Sequence, residues 1–255
     1  MRLKDKALIV TGSSTGIGEA IARAAVAEGA KVLVHGIEAD MTAAVANDLG
    51  MPYSVGDVSD PAHCTALVDA AVSAFGRLDG LVNNAGVSWR NLLEDTDAAF
   101  WDSVMAINVR APMLIIRAAL PHLSSSGGAV VNIGSVNGYC GEPSFVAYSA
   151  SKGALMTLTR NLGDTLNREH GVRVNQINPG WVLSEGERRK KVEEGMDADW
   201  FEKLDPISAP SGRILKPAEI ASTVVHFLSD DFGPISGQVI ELEQYPMIGR
   251  NPPKC

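Results

Sequence analysis

Apolar and polar positions along this chain follow two rhythms. Short apolar runs over residues 7–10, 31–34, 81–82, 130–133, 172–177 and 238–242 read as buried strands, with a weaker one at 52–55. Between them lie longer segments whose apolar residues recur at helical spacing, over 17–27, 39–49, from 61, 97–123, 146–169 and 217–228. Their ends carry the expected punctuation. Gly29 and Gly50 stand where helices should stop, and Asp60-Pro61 places an N-cap residue before a proline at the first helical position. Short strands separated by helices of ten or more residues form βαβ units, hence a parallel sheet. The pattern predicts an α/β fold with about seven parallel strands flanked by helices. The alternation is unbroken, so residues 1–255 read as one domain. The irregular stretch is 180–217, charged in its first half and proline-rich in its second.

Composition narrows the function classes. A 255-residue chain with 45% hydrophobic and 20% charged residues can bury a sizeable core. A net charge of -8 repels phosphate backbones, which argues against a nucleic-acid partner and against a broad electrostatic membrane surface. The three cysteines form no CxxC pair, so neither a disulfide framework nor a metal site is expected. Free thiols, an N-terminus without signal-peptide architecture and no apolar run of the roughly 20 residues a membrane span needs together predict a cytoplasmic protein with no membrane partner.

The first strand leads through Thr11-Gly12-Ser13-Ser14-Thr15-Gly16-Ile17-Gly18 into the first helix. Glycines here permit a tight turn and a close backbone approach to a pyrophosphate, and the helix behind them offers free N–H groups to that anion. A glycine motif between a strand and a helix is the context that gives it meaning, and it predicts a Rossmann-type, doubly wound sheet binding a dinucleotide. On the helix over 146–169, Tyr148 and Lys152 stand four apart and share a face. A free phenol is a poor base at neutral pH, and a nearby ammonium favours its ionised form. Ser135 follows the strand over 130–133, close to the end where ligands bind in open α/β sheets.

The spacing Gly-x-x-x-Gly-x-Gly, Asn83-Asn84-Ala85-Gly86, Ser135, Tyr148-x-x-x-Lys152 and Pro179-Gly180, in this order over nearly the whole chain, resembles the short-chain dehydrogenase/reductase family, in its branch with the Tyr-x-x-x-Lys active site. The resemblance implies an NAD(P)-dependent alcohol dehydrogenase or carbonyl reductase. It assigns catalysis to Asn108, Ser135, Tyr148 and Lys152: Ser135 holds the substrate oxygen, Tyr148 moves the proton, Lys152 tunes Tyr148, and Asn108 distorts its helix and holds a relay water. It places the cofactor on Gly12, Ser14, Thr15, Gly16, Ile17 and Gly18, the adenine at Asp57 and Val58, the adenosine ribose by Asn83, Ala85 and Gly86, and the nicotinamide against Pro179, Gly180, Val182 and Ser184, with Tyr148 and Lys152 also in contact.

Cofactor choice turns on the end of the second strand, at Gly36 and Ile37. Members that take NAD carry an aspartate where this chain has Gly36; members that take NADP often carry a basic residue at the position of Ile37 or Thr15. Neither device is present. With no cation for the extra phosphate the expectation is NAD over NADP, with poor discrimination. Glu38 reads as a solvated carboxylate and His35 as structural. Trp89, Tyr139 and Trp181 are expected to wall the substrate pocket, with Val87, Ser88, Asn137 and Glu142 nearby. Residues 184–216 resemble the family's substrate lid, and their run Arg188-Arg189-Lys190-Lys191 among glutamates reads as a solvated helix face. The substrate expected is a sugar, polyol or similar secondary alcohol or ketone. The alternatives are a 3-oxoacyl thioester on acyl carrier protein, reduced with NADPH, and a silent dinucleotide sensor. The last strand runs on where many members have Asp-Gly-Gly. The tail over 245–250 is expected to sit on a partner subunit of a homotetramer, the common assembly of the family.

Overall fold

The computed structural model describes residues 1–247. Seven strands, β1 (Ala7–Val10), β2 (Lys31–Gly36), β3 (Tyr53–Val55), β4 (Gly80–Asn83), β5 (Ala129–Ile133), β6 (Arg173–Pro179) and β7 (Val239–Leu242), form one parallel sheet in the order β3-β2-β1-β4-β5-β6-β7. Period-2 alternation sends neighbouring side chains to opposite faces. Leu8 and Val10 join a core with Ile21 and Ala25 of α1 (Gly16–Ala27) and Ile220 and Val224 of α9 (Pro217–Leu228). Ile9 points the other way, into a core with Leu67 of α3 (Pro61–Phe75) and Ile115 and Leu123 of α5 (Ala111–Ser126). Both faces are covered, as a parallel sheet requires. α2 (Ala39–Leu49) lies against β2 and β3.

After β3 the chain crosses to the far side of β1 and lays down β4. The loops after β1 and β4 therefore part, and their divergence opens a crevice at the C-terminal edge of the sheet. The punctuation residues behave as expected: Asp60 caps α3 by accepting from the Ala62 N–H at 2.9 Å, and Gly50 closes α2 in the left-handed conformation.

Two elements differ from the sequence reading. The helix expected over 97–123 is three pieces: α4 (Ala98–Met105), a wide π-type turn (Ala106–Arg110) and α5. Pro112 has no N–H, so the carbonyl four residues earlier, that of Asn108, has no α-helical partner and the turn opens there. The combined segment, Ala98–Ser126, is also long and apolar enough to cross a membrane, contrary to the expectation of no such run. Here its apolar residues Ala111, Ile115, Ile116, Ala119 and Leu123 are buried in the core beneath the sheet. The irregular stretch holds a helix, α8 (Glu185–Glu193), which buries none of its residues, as its mixed charges suggest. Beyond it a short turn at Trp200–Glu202 gathers a small apolar cluster of Trp200, Ala209 and Ile214, and Leu215 returns to pair with Val182.

Candidate active site

α7 (Val146–His170) runs beside β5 and β6 and presents Tyr148 and Lys152 to a cleft of about 650 Å³ at the crevice. Ser135 enters the same cleft from the end of β5. It accepts the Asn137 N–H at 3.2 Å and is hydrogen-bonded to the Tyr148 hydroxyl. Lys152 is buried, and its Nζ donates to the Ile133 carbonyl at 2.8 Å while standing 5.7 Å from the Tyr148 ring centroid. Burial pushes its ammonium down from the usual lysine range to about 8.

Tyr148 departs from expectation. Its phenol lies above, not below, the ordinary tyrosine value, because burial disfavours the phenolate; the Ser135 hydrogen bond opposes this, and the Glu142 and Glu187 carboxylates add to it. The Lys152 ammonium is aimed at the Ile133 carbonyl. Asn108 sits in the distorted turn, as the resemblance implied. Its side-chain amide is engaged throughout: Oδ1 accepts from the Val87 N–H at 2.9 Å, and Nδ2 donates to the Val87 carbonyl at 3.0 Å and to Ser151 Oγ at 2.9 Å. It braces the β4 loop against α7 one residue from Lys152.

On the cofactor side, Gly12 and Gly16 both have positive φ, +61° and +60°. A side chain at Gly12 would meet the Ala85 Cα at 2.9 Å, and one at Gly18 would strike the Gly12 carbonyl, so the turn folds tightly on the β4 loop. Thr11 Oγ1 accepts the N–H groups of Asn84 and Ala85, both at 2.9 Å. The Gly12 N–H donates to Nδ1 of His35, a buried ring that also reaches the Gly56 carbonyl and His63. His35 is thus structural, as read.

Ile17, Gly86, Pro179, Gly180 and Val182 line the cleft as well, with Val87, Ser88, Asn137 and Glu142. Ser14 lies under Gly36, Ile37 is 63% exposed, and Asp57 accepts the Ser59 N–H at 2.8 Å at the β3 end of the crevice. Val58 turns its side chain into the core. The Asn83 side chain is buried and donates to Asn132 at 2.9 Å, while its neighbour Asn84 lines the cleft. Ser184 caps α8, accepting the Glu187 N–H at 3.1 Å.

Two substrate candidates fall outside the cleft lining. Trp89 packs on Phe100, with ring centroids 6.0 Å apart, and Tyr139, on the short helix α6 (Asn137–Cys140), faces Asn178 and Glu241. Trp89 sits in a loop and Tyr139 on a single-turn helix, and the apolar periodicity encodes the direction of neither. Trp181 does line the cleft. Sequence reading missed Phe145, whose ring is 5.3 Å from that of Tyr148, and Glu187 and Glu243, which also reach the cleft. An aromatic residue one turn before Tyr148, at the helix start, was the available signal for Phe145. Of the tail, Tyr245 and Met247 line this chain's own cleft, while residues 248–250 lie outside the described residues.

The site fits a dinucleotide. Thr15 leaves the start of the twelve-residue α1 without a side-chain cap, so its first N–H groups are available to an anion. At Gly16 a Cβ would project across the gap toward the Ser184 Cβ, 3.5 Å away, and fill the cradle in front of them.

A doubly wound parallel sheet, a glycine turn at its switch point and a Ser–Tyr–Lys set across the crevice define a class: nicotinamide-dependent oxidoreductases of alcohols and carbonyls. The comparisons with known proteins agree. The family model described as enoyl-(acyl carrier protein) reductase matches residues 12–243. The chain is 37% identical over 249 residues to 2-(S)-hydroxypropyl-CoM dehydrogenase 3 of Xanthobacter autotrophicus, covering 95% of this chain and 96% of that protein. It is 33% identical to the NADP-dependent (R)-specific alcohol dehydrogenase of Lentilactobacillus kefiri, covering 90% and 92%. The crystal structure of levodione reductase superposes with a TM-score of 0.86 at 32% identity, covering 95% of this chain and 97% of that one. The chain belongs to the short-chain dehydrogenase/reductase family and is an NAD(P)-dependent oxidoreductase of a secondary alcohol/ketone pair.

Proposed function

We propose that the protein interconverts a small ketone and its secondary alcohol, with Tyr148 as the proton donor and acceptor and with NAD as the preferred cofactor. The observation that carries this reading is the meeting of the Tyr148 and Ser135 hydroxyls and the Lys152 ammonium in one cleft beside the uncapped end of α1. When bound, the nicotinamide supplies or takes up the hydride. Ser135 and Tyr148 hold the substrate oxygen. In reduction Tyr148 gives its proton to that oxygen as the hydride arrives at carbon; in oxidation it accepts the hydroxyl proton. A phenol held above its ordinary value keeps its proton at neutral pH, the form reduction needs. Lys152 places positive charge behind Tyr148, and Asn108 holds the loop that borders both, next to the water that would return the proton.

Gly12, Ser14, Thr15, Gly16, Ile17 and Gly18 would hold the pyrophosphate, Asp57 the adenine, and Pro179, Gly180, Val182 and Ser184 the nicotinamide. The preference for NAD rests on the adenosine end. Ser14, Thr15, Gly36, Ile37 and Glu38 bring no cation there for a 2′-phosphate. The same reading takes the protein as a cytoplasmic homotetramer. The test is turnover of secondary alcohols and ketones followed at the reduced-nicotinamide band with each cofactor, beside Tyr148→Phe. We expect Tyr148→Phe to lose at least about a hundredfold in kcat with cofactor Kd nearly unchanged. A Tyr148→Phe enzyme as fast as the parent overturns the mechanism, and a hundredfold preference for NADP overturns the cofactor assignment.

A further inference from the structure

We infer that the cleft is built for ring ketones, with the substrate ring laid on the indole of Trp181; this rests on the proposed carbonyl chemistry and names its substrate class. Trp181 is fixed from four directions. Its backbone N–H donates to Glu243 Oε2 at 2.9 Å and its carbonyl accepts from the Leu215 N–H at 3.0 Å. Its indole Nε1 donates to Glu187 Oε1 at 2.9 Å. One face of the indole stacks on Trp200, with centroids 5.1 Å apart and planes 16° from parallel. Trp200 is itself buried at 3% exposure and does not line the cleft. What Trp181 offers the cleft is therefore the opposite face and the edge.

The supports have their own supports. Glu243 closes over Gly180, where any side chain would strike its carboxylate, so Gly180 and Glu243 form a fitted pair under the Trp181 peptide. Glu187 is held by the Ser184 cap of α8. Phe145, a second ring in the cleft, is covered differently: the Arg90 guanidinium lies 4.4 Å and the Lys190 ammonium 5.5 Å from its centroid. Its face is occupied by cations, whereas among the described residues no cation lies over the Trp181 indole. A preorganised flat apolar wall favours a rigid flat or alicyclic ligand, which loses little conformational freedom on binding, over a flexible chain of equal carbon count.

The experiment compares kcat/KM for cyclohexanone and 2-hexanone in the parent enzyme, Trp181→Leu, Trp181→Phe and Trp89→Leu, with NADH Kd and far-UV circular dichroism confirming that each variant folds. The expected ratio of the two kcat/KM values is tenfold or more in favour of the ring in the parent and in Trp89→Leu, near one in Trp181→Leu, and above about fivefold in Trp181→Phe, with the change in KM. Equal handling of ring and chain by the parent, or a ratio unmoved by Trp181→Leu, overturns the inference while leaving the carbonyl chemistry intact. No turnover of either ketone by a parent enzyme that binds NADH removes the chemistry and the inference together.

Discussion

Lys152 shows function and stability opposed in one side chain. It is 5% exposed, its ammonium faces one carbonyl, and no carboxylate lies within ion-pair distance among the described residues. Its lowering from 10.5 to about 8 means that the fold resists the charged form. Below about pH 8 it is charged in both folded and unfolded chains, and the fold bears the full cost of the buried charge, about 3 kcal/mol. Between about 8 and 10.5 the folded chain sheds the proton first and that cost fades. Lys152→Met keeps an unbranched side chain one heavy atom shorter, removes the charge and leaves the Ile133 carbonyl without its donor, so the net gain is smaller, about 1 to 2 kcal/mol. We expect this variant to lose turnover yet melt several degrees higher at pH 7, with its advantage shrinking as pH rises from 8 toward 10.5. A lower melting temperature at pH 7 would show that the carbonyl contact outweighs desolvation.

At the scale of elements, strands and helices were legible where a periodic apolar face meets the sheet: β1, α2 and α9 begin and end where the pattern places them. Strands β2 and β4 run on through Gly36 and Asn83 because ladder pairing with Val55 and Asn132, not hydropathy, sets their ends. The opening at Asn108 was also readable, from Pro112 four residues on. The walls of the cleft were less so: local turns carry Phe145 into the cleft and Trp89 and Tyr139 out of its lining, and the two clamps on Trp181 come from residues 6 and 62 positions away. Gly36 is where element packing corrects a family rule. A side chain there would run into Thr42 Oγ1 of α2 and lie 2.6 Å from Ser14 Oγ of the glycine turn. Thr42 is wholly buried and donates to the Glu38 carbonyl, so it has nowhere to go. The aspartate that marks NAD-dependent relatives thus has no room at the end of β2. Gly36→Asp should lower the melting temperature by several degrees and weaken NAD binding rather than sharpen selectivity; thermal melts and Kd for both cofactors check it. A stable Gly36→Asp enzyme with tighter NAD binding would mean that α2 yields.

Across the whole molecule, one buried ring ties the dinucleotide turn to the edge of the sheet. His35 accepts the Gly12 N–H at Nδ1, 3.1 Å away, and its Nε2 lies 3.2 Å from both the Gly56 carbonyl and His63 Nε2. These contacts assign the proton to Nε2 and require Nδ1 to stay bare. Burial pushes the ring down from 6.5 to about 4; the neighbouring His63 works in the same direction, and the Gly56 carbonyl and Asp57 oppose it. Above pH 6.5 folded and unfolded chains both hold the ring neutral, and its contribution to stability is complete. As pH falls from 6.5 to 4 the unfolded chain binds a proton that the fold refuses, and up to about 3 kcal/mol is lost. Glu219, lowered to about 2 beside Arg213, releases its smaller and solvent-screened contribution in a lower window, between about 4.5 and 2, so the two losses separate. Protonation at Nδ1 also turns the acceptor of the Gly12 N–H into a second donor, which must push the glycine turn away from its place. Cofactor affinity should therefore weaken in the same window as stability. His35→Asn supplies a non-titrating acceptor of similar reach, and it should flatten both profiles between pH 6.5 and 4.5, in urea unfolding and in NADH titration. If His35→Asn follows the parent curve across that range, the acid sensitivity arises elsewhere and the ring is a passive strut.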